Sequence, residues 1–575
     1  MMSITRSRLA TPLANPCTSL GIVFLAVFSS LLIYAAGRGI DPTDESFYLL
    51  YYAAPARHLF WVSWFQFVGS LWYGLAGGSV FGLRLWGYAT MLACAILCVA
   101  GLTREYPNLL IRDSNRALAL ISICSMYATL FMPAILTPGY NSITACGLAL
   151  VLGGAGLLRG ARTRSMAGSF LVGIGCALVV LGKPSSSPVL LGLLGLWAWG
   201  ARPGRRPLLL AIPICVAAVL AIMLIHLPIS AIWRLVWEPI NFIMSFHRVR
   251  EPMHFAGVAK YLLGFSLIFC SLAALAAVCP KRFAAPGVVA LSAVAAFMVG
   301  RSNSFGIHAL APGLALGLIL LTAVLSRPGL RRFAQSEGPP LELILLSFAL
   351  PFCYFLGSAV PLTMTFGNAS FFWWITVLLC LGRMAPSSWA RNLSLFCFIS
   401  CALWLAIWSW QAFSSPHRHE SRIWEETAAL TVVPGLERVH VTPAYQSWIQ
   451  RLRAEAESAG FRPGMPVLDI SGGGPGLMLF IEASPAGCDW ILGGYRMSTE
   501  YLRFALDRIS TEDRRRCWVL RLKGDQQFLR FDLEVLREYG IDLERGYEAV
   551  WQDTHPHYPN RKVVLLRPVG FGPQK

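Results

Sequence analysis

The sequence predicts a mainly α, polytopic membrane protein with a small α/β domain at its C-terminal end. Three observations predict it. Of 575 residues, 55% are hydrophobic and only 14% charged, too little charge for a soluble chain of this size. Apolar runs of roughly 17–25 residues recur, each long enough to cross a hydrocarbon core. Near residue 414 these runs stop and a polar stretch, "SSPHRHESRIWEE", begins. The expected division is 1–413 for the membrane domain and 414–575 for a soluble extracytoplasmic domain.

The first apolar run, "SLGIVFLAVFSSLLIYAAG", is too long for a signal-peptide core, and no small-residue cleavage site follows it, so it reads as a retained span. Arg6 and Arg8 precede it and belong in the cytoplasm. Later loops then alternate. "GLTREYPNLLIRDSNR", "RGARTRS", "GARPGRRP", "CPKRF", "SRPGLRRF" and "GRMAPSSWARN" fall inside, and each carries at least two Lys or Arg. This is the positive-inside pattern, and it gives about thirteen spans in the inner (plasma) membrane, N-terminus inside and C-terminal domain outside. The net charge of +18 therefore sets orientation, and no nucleic-acid motif accompanies it.

In the C-terminal part, "MPVLDIS" reads as a buried strand, "GGGPG" as a turn and "LMLFIEA" as a short helix. "RCWVLRL" is a second strand and "LEVLREYGI" a helix ending at Gly540. "YEAVWQDT" and "KVVLLRPV" form a hairpin across "HPHYPN". Most of the fifteen cysteines are single residues in apolar runs, where Cys is a small hydrophobe. Cys488 and Cys517 alone lie in the polar part, and an oxidising compartment would pair them in a disulfide.

The chemistry centres on "GRGIDPTDESFYLLYYAAP", directly after the first span. Its acids admit two readings. In one, Asp41 caps a helix, Pro42 takes its first position, and Asp44 and Glu45 sit in the first turn where the dipole favours anions. Tyr48, Tyr51 and Tyr52 then belong to the interfacial belt. In the other, the acids serve a membrane transferase. A sugar on a lipid phosphate already has a good leaving group, so no general acid is needed, unlike a glycosidase. One carboxylate takes the acceptor's proton, and cations or a divalent metal hold the phosphate. Asp44 is the expected base. Glu45, about 100° around the helix, assists by binding a metal or orienting the acceptor.

This stretch resembles the GT-C glycosyltransferases, within the protein O-mannosyltransferase and aminoarabinose transferase superfamily (glycosyltransferase family 39-like). "DESFYLLYYAA" matches its Asp-Glu pair followed by a Tyr-rich helix. "GGSVFGLRLWGYATML" resembles its entry to the second span, through Arg84 and Leu85. The resemblance covers residues 15–200 by pattern. It implies a polyprenyl-phosphate sugar donor, inverting transfer on the outer face, and a glycan, lipid or protein acceptor. The family's Pro-Pro-Leu after the acidic helix is missing, and "FWVSWFQF" stands there. The expected site has Asp44 and Glu45 as catalytic residues, with Asp41, Tyr48, Arg84, Tyr140, Asn141, Lys183, Arg301 and His308 binding substrate. The sequence names no metal ligand set.

Several of these positions keep a second reading. Tyr140 and Asn141, in "ILTPGYNSITACG", line the donor site or simply form a tight turn. Lys183 in "VVLGKPSSSP" grips the lipid phosphate or snorkels. Arg301, His308, Arg234, Arg248 and Arg250 pose the same choice. "SFGIH" and "TFGNA" are short echoes with Gly306, Gly367, Asn303 and Asn368. "VLDISGGGPG" lacks nucleotide-loop spacing and reads as a structural or acceptor-facing loop. Asp553, His555 and His557 lie in a Pro-rich turn and read as structural. A transporter or flippase of a lipid-linked sugar is the rival function. It expects an internal repeat and acids in mid-span, and the sequence has no repeat and few such acids. A non-catalytic assembly scaffold is the third reading.

Overall fold

Apolar helices dominate the first four hundred residues, and the computed structural model shows how they are shared between core and lipid. It describes residues 15–57, 63–129, 137–201, 205–246, 305–326, 335, 337–355, 367–416, 421–472, 475–491, 493, 498–524, 531–556 and 558–570. The helices are α1 (Pro16–Ala36), α2 (Asp44–Ala53), α3 (Phe65–Leu75), α4 (Val80–Glu105), α5 (Asp113–Ser125), α6 (Tyr140–Leu157) and α7 (Arg162–Gly182). They continue with α8 (Ser187–Ala201), α9 (Arg205–His226), α10 (Ile229–Phe246), α11 (Phe305–Leu325), α12 (Leu341–Phe355), α13 (Ser370–Arg383) and α14 (Ser388–Ser414). Among the described residues, six helices are long and apolar enough to cross a membrane: α1, α4, α6, α7, Pro207–His226 of α9, and α14. Three shorter apolar helices, Ala311–Leu325, Leu341–Phe355 and Ser370–Arg383, accompany them. The chain is a multi-pass membrane protein. Of the other expected spans, two fall on α5 and α8, which have 13 and 15 residues, and the two between residues 251 and 300 lie outside the described residues.

Hydropathy and burial run in opposite directions, as a bilayer solvent requires. The α9 span has mean hydropathy 3.1 and is 11% buried, whereas α6 has 1.3 and is 94% buried. Lipid tails drive the most apolar helix outward, and close protein packing holds the central one. Small residues set that packing. A Cβ on Gly147 of α6 would stand 2.5 Å from the Gly175 carbonyl oxygen of α7, and the reverse substitution meets the Gly147 carbonyl at 2.5 Å. Only two glycines let these backbones approach so closely.

One end of the bundle gathers the C-terminus of α1, the N-termini of α4 and α6, and the C-terminus of α7. The other end holds arginines from the loops assigned inside. Arg164 pairs with Glu105 at 3.3 Å, and Arg112 donates to the carbonyls of Leu381 and Met384 at 2.9 Å each. Arg112 and Arg164, from two of the loops expected inside, thus lie at that other end.

The C-terminal unit holds β1 (Ala428–Ala429), β2 (His440–Val441), α15 (Pro443–Ser458), β3 (Pro466–Asp469), α16 (Gly476–Phe480) and β4 (Ser484–Pro485). Then follow α17 (Ser498–Leu506), α18 (Thr511–Arg516), β5 (Trp518–Gly524), α19 (Glu534–Glu538), β6 (Tyr547–His555) and β7 (Tyr558–Pro568). The main sheet runs β4-β3-β5-β7-β6. β4, β3 and β5 are parallel, and β5, β7 and β6 antiparallel. The expected strands and the β6–β7 hairpin are present. The strands β1, β2 and β4 and the helices α15, α17 and α18 are additions that sequence reading did not supply.

The expected disulfide is not formed, because Cys488 and Cys517 are both buried free thiols. Cys488 follows β4 and Cys517 precedes β5, and β3 lies between those strands. Two strand spacings are about 9–10 Å, beyond the reach of a disulfide. Burial raises both thiols above the ordinary cysteine range.

Candidate active site

The acidic loop is built around one buried ion pair. Arg84, in the second turn of α4, is 2% exposed and Glu45 of α2 is 0% exposed. Arg84 Nε donates to Glu45 Oε1 at 2.9 Å and Nη2 to Oε2 at 2.8 Å. The same guanidinium donates to the carbonyls of Ala36 (2.8 Å), Arg38 (3.0 Å) and Gly39 (2.7 Å). Ala36 is the last residue of α1 and Arg38 and Gly39 follow its C-cap, so Arg84 satisfies a helix terminus, the loop beyond it and a carboxylate together. Gly39 turns the chain there with φ +64°, a left-handed value glycine adopts without cost. Glu45 also accepts from the Thr137 hydroxyl and from the Asp41 N–H at 3.0 Å.

Asp41 acts one step differently from expectation. The helix begins at Asp44, with Thr43 as N-cap and no capping side chain there. Asp41 instead folds its carboxylate over the helix start. Its Oδ1 accepts from the Thr43 N–H at 3.2 Å and its Oδ2 from the Glu45 N–H at 3.2 Å. Pro42 is thus in the turn, not the helix, since an Asx-type turn satisfies the same donors earlier in the chain. Asp41, Glu45 and Arg84 thus all make contacts that hold the loop.

Asp44 is the half-buried acid of the group. Tyr48 lies one turn along on the same helix face and is 3% exposed. Its ring meets Tyr140 edge-on, with centroids 6.1 Å apart at 89°. Pro138 and Gly139 bring Tyr140 there, because a Cβ on Gly139 would lie 2.6 Å from the Tyr48 ring. Lys183 follows. Its Nζ stands 5.3 Å from the Tyr140 ring centroid and 4.3 Å from that of Tyr354, a cation–π geometry. The same Nζ donates to the Tyr354 carbonyl at 2.8 Å. Asp44, Tyr48, Tyr140 and Lys183 thus form one connected line.

Two buried amides flank the Lys183 loop. Asn141 is 4% exposed and Gln66 1%, and neither polar atom of either has a hydrogen-bond partner among the described residues. Asn141 opens α6, whose Tyr140 carbonyl lies against Gly182. Gln66 lies two residues past Trp64, whose N–H donates to the Leu181 carbonyl at 3.0 Å. Native proteins rarely leave buried amides unpaired, and those that remain call for an explanation. Sequence reading included Asn141 and missed Gln66. The signal for Gln66 was present, a lone amide inside the apolar run "FWVSWFQFVGS".

Arg301, Arg248, Arg250 and Asn303 lie outside the described residues. His308 sits on α11, and its side chain is not among those described. Arg234 is exposed and pairs with Glu238 at 2.9 Å. Asn368 is buried at the start of α13. His555 packs against Trp448, with centroids 5.1 Å apart, and Asp553 pairs with Arg451 at 2.9 Å. His557 lies outside the described residues. Among the described residues no three His, Cys, Asp or Glu side chains gather as a metal site.

The C-terminal unit closes over the same loop. Gly39 N–H donates to the His440 carbonyl at 2.7 Å, and His440 N–H to the Gly37 carbonyl at 2.8 Å. Gly476 N–H donates to the Pro42 carbonyl at 2.8 Å. Phe47 of α2 and Trp490 have ring centroids 6.0 Å apart.

No protein-family model matches this chain, and no curated protein does. Two solved structures are neighbours, both of ArnT from Cupriavidus metallidurans. The one bound to undecaprenyl phosphate is 12% identical with a TM-score of 0.46, over 95% of this chain and 98% of that one. The apo structure is 12% identical with a TM-score of 0.39 over the same shares. At such values the likeness decides nothing about chemistry, which rests on the residues described above.

Proposed function

We propose that this protein is a membrane glycosyltransferase that moves a sugar from a polyprenyl-phosphate donor to an acceptor at the outer membrane face. One observation carries the reading: a half-buried carboxylate, Asp44, and a buried ammonium, Lys183, are joined through Tyr48 and Tyr140. A transferase of this kind needs a base at one end of the sugar and a cation at the other. The donor belongs to the lipid class bound in the ArnT structure.

In the reaction the acceptor hydroxyl attacks the anomeric carbon, and Asp44 takes its proton. The bond from that carbon to the phosphate oxygen breaks, and its electron pair leaves on the phosphate beside Lys183. A single displacement inverts the anomeric centre. Tyr48 and Tyr140 offer ring faces and edges to the sugar, and Asn141 and Gln66 offer amides to its hydroxyls or to the phosphate. Arg84 and Glu45 position Asp44 by fixing the first turn of α2. In this reading the C-terminal domain, 414–575, is periplasmic or extracytoplasmic and the membrane is the inner (plasma) membrane.

A proton-coupled transporter carries ionisable groups along its path. Among the described residues of the spans, the buried charged groups are Asp41, Glu45, Arg84 and Lys183, all at one end of the bundle. The deciding experiment uses the full protein in nanodiscs with radiolabelled polyprenyl-phosphate sugars and a membrane extract as acceptor source. Asp44→Asn should lower transfer by on the order of 10²–10⁴ while leaving the protein folded. Wild-type transfer by Asp44→Asn overturns the reading.

A further inference from the structure

The carboxyl ends of β3 and β4 have no part in the reaction above, yet Gly476 just beyond β3 packs on the loop that leads into α2. β3 and β4 are adjacent and parallel, and both end on this side. Asp469 is the last residue of β3, and Asp489 and Trp490 follow β4 by a few residues. In open α/β sheets the carboxyl ends of parallel strands are where ligands bind. Here that edge is applied to α2. Gly476 meets Pro42 so closely that a Cβ would lie 2.8 Å from the Pro42 Cα. Trp490 lies against Phe47, and Asp489 is within electrostatic reach of Tyr51 and Tyr501.

Asp469 points the right way. Side chains alternate along a strand. Leu468 joins the core beneath the sheet with Tyr501 and Leu502. Val467 joins the cluster that contains Phe47, Tyr48 and Tyr51 of α2. Asp469 therefore shares the face of Val467, toward α2. It is 4% exposed. Its Oδ1 accepts from the Ser471 N–H at 2.8 Å, while Oδ2 has no partner among the described residues. The buried Trp490 Nε1 is likewise unpartnered. A buried carboxylate oxygen without a donor is costly. The indole N–H at the same carboxyl edge adds a donor to this acceptor, a set that sugar hydroxyls satisfy well: the carboxylate accepts from them, the N–H donates, and the ring covers a sugar face.

We propose that the carboxyl edge of β3 and β4 is the acceptor-recognition face of the enzyme, where Asp469, Asp489 and Trp490 hold a hydroxyl-rich carbohydrate against α2. This rests on the reading of Asp44 as the transfer base, since the face lies beside the loop that carries it. The acceptor would be sandwiched between the two parts of the chain, with its reacting hydroxyl directed to Asp44 and the rest of its ring system on the C-terminal domain.

Saturation-transfer NMR on the full-length protein in nanodiscs tests it, with methyl glycosides of glucose, mannose, galactose and N-acetylglucosamine as probes. At least one glycoside should receive saturation from the wild type. That signal should fall at least fivefold in Asp469→Asn and in Trp490→Phe, which keep shape, and persist in Asp44→Asn. A wild type that saturates none of the four, or saturation unchanged in both Asp469→Asn and Trp490→Phe, overturns the proposal. The base reading fails separately. If Asp44→Asn transfers sugar at the wild-type rate while saturation still depends on Asp469 and Trp490, the recognition face stands and the base is elsewhere.

Discussion

Arg84 and Glu45 meet in a bidentate pair with both side chains buried, Nε to Oε1 at 2.9 Å and Nη2 to Oε2 at 2.8 Å. The pair joins the second turn of α4 to the first turn of α2 and ties both to the end of α1. Truncating one partner strands the other. Arg84→Ala should destabilise the protein by about 3–5 kcal/mol. Arg84→Lys should recover little, because a single ammonium cannot reproduce the planar fork. Thermal unfolding of the purified protein in nanodiscs checks both. A wild-type midpoint for Arg84→Ala would show that the pair does not hold the loop.

Asn141 and Gln66 should trade stability for function. Each buries an amide with no partner among the described residues, and replacing such a group by an apolar one of similar size is neutral or stabilising. Asn141→Leu and Gln66→Leu should unfold at or above the wild-type temperature yet lose sugar transfer. Lower stability in both would mean that their amides are satisfied within the protein.

Lys183→Met should weaken donor use by on the order of 10² in kcat/KM, since no other buried ammonium lies on the line to Asp44 among the described residues. Lys183→Arg should recover part of the loss. The readout is kcat/KM for the lipid-linked sugar at fixed acceptor.

The α6–α7 contact tolerates no added methyl. Gly147→Ala or Gly175→Ala drives a Cβ to 2.5 Å from a facing carbonyl oxygen. Each should cost about 1–3 kcal/mol, read as a lower unfolding temperature. Gly192, with nothing within 4 Å of a Cβ, is the control and should accept Ala without loss.

Asp469 makes the C-terminal domain pH-sensitive. Burial raises its carboxyl to about 6, above the roughly 3.9 of an unfolded Asp. The folded state therefore binds the proton more tightly. Its stabilising contribution is complete below about pH 4 and is lost as pH rises through 6, a difference on the order of 3 kcal/mol. Asp469→Asn should thus unfold at a higher temperature than wild type at pH 7.5, and the gap should shrink towards pH 4.5. A gap that stays constant with pH would show that Asp469 does not titrate in this range.

Much of the architecture was legible in the chain. Long apolar runs announce spans because a bilayer core has no water to satisfy a backbone outside a helix. Arginine-rich loops announce ends, and Arg112 and Arg164 do lie at the end opposite Lys183. The alternation in "MPVLDIS" and "RCWVLRL" announces β3 and β5. A region rich in carboxylates and tyrosines after the first span drew attention to α2, and Tyr48, Tyr140 and Lys183 were each legible as polar or aromatic groups at span ends.

The division of labour among the acids was not legible. Asp41, Asp44 and Glu45 are chemically alike and nearly adjacent. What separates them is a guanidinium from thirty-nine positions away and a threonine from ninety-two, which take Glu45 and leave Asp44 at a half-buried edge. Sequence spacing cannot report contacts of that range, because they form only when whole helices pack. The same holds for Cys488 and Cys517. Compartment and count argued for a bond, and the intervening strand β3 set them apart. Composition and periodicity determined which segments are helices, strands and spans, since those follow from local burial patterns. The packing of α4 on α1, of α6 on α7 and of the C-terminal sheet on α2 decided which side chains face one another, since charge and hydrogen-bond partners are assigned only in three dimensions.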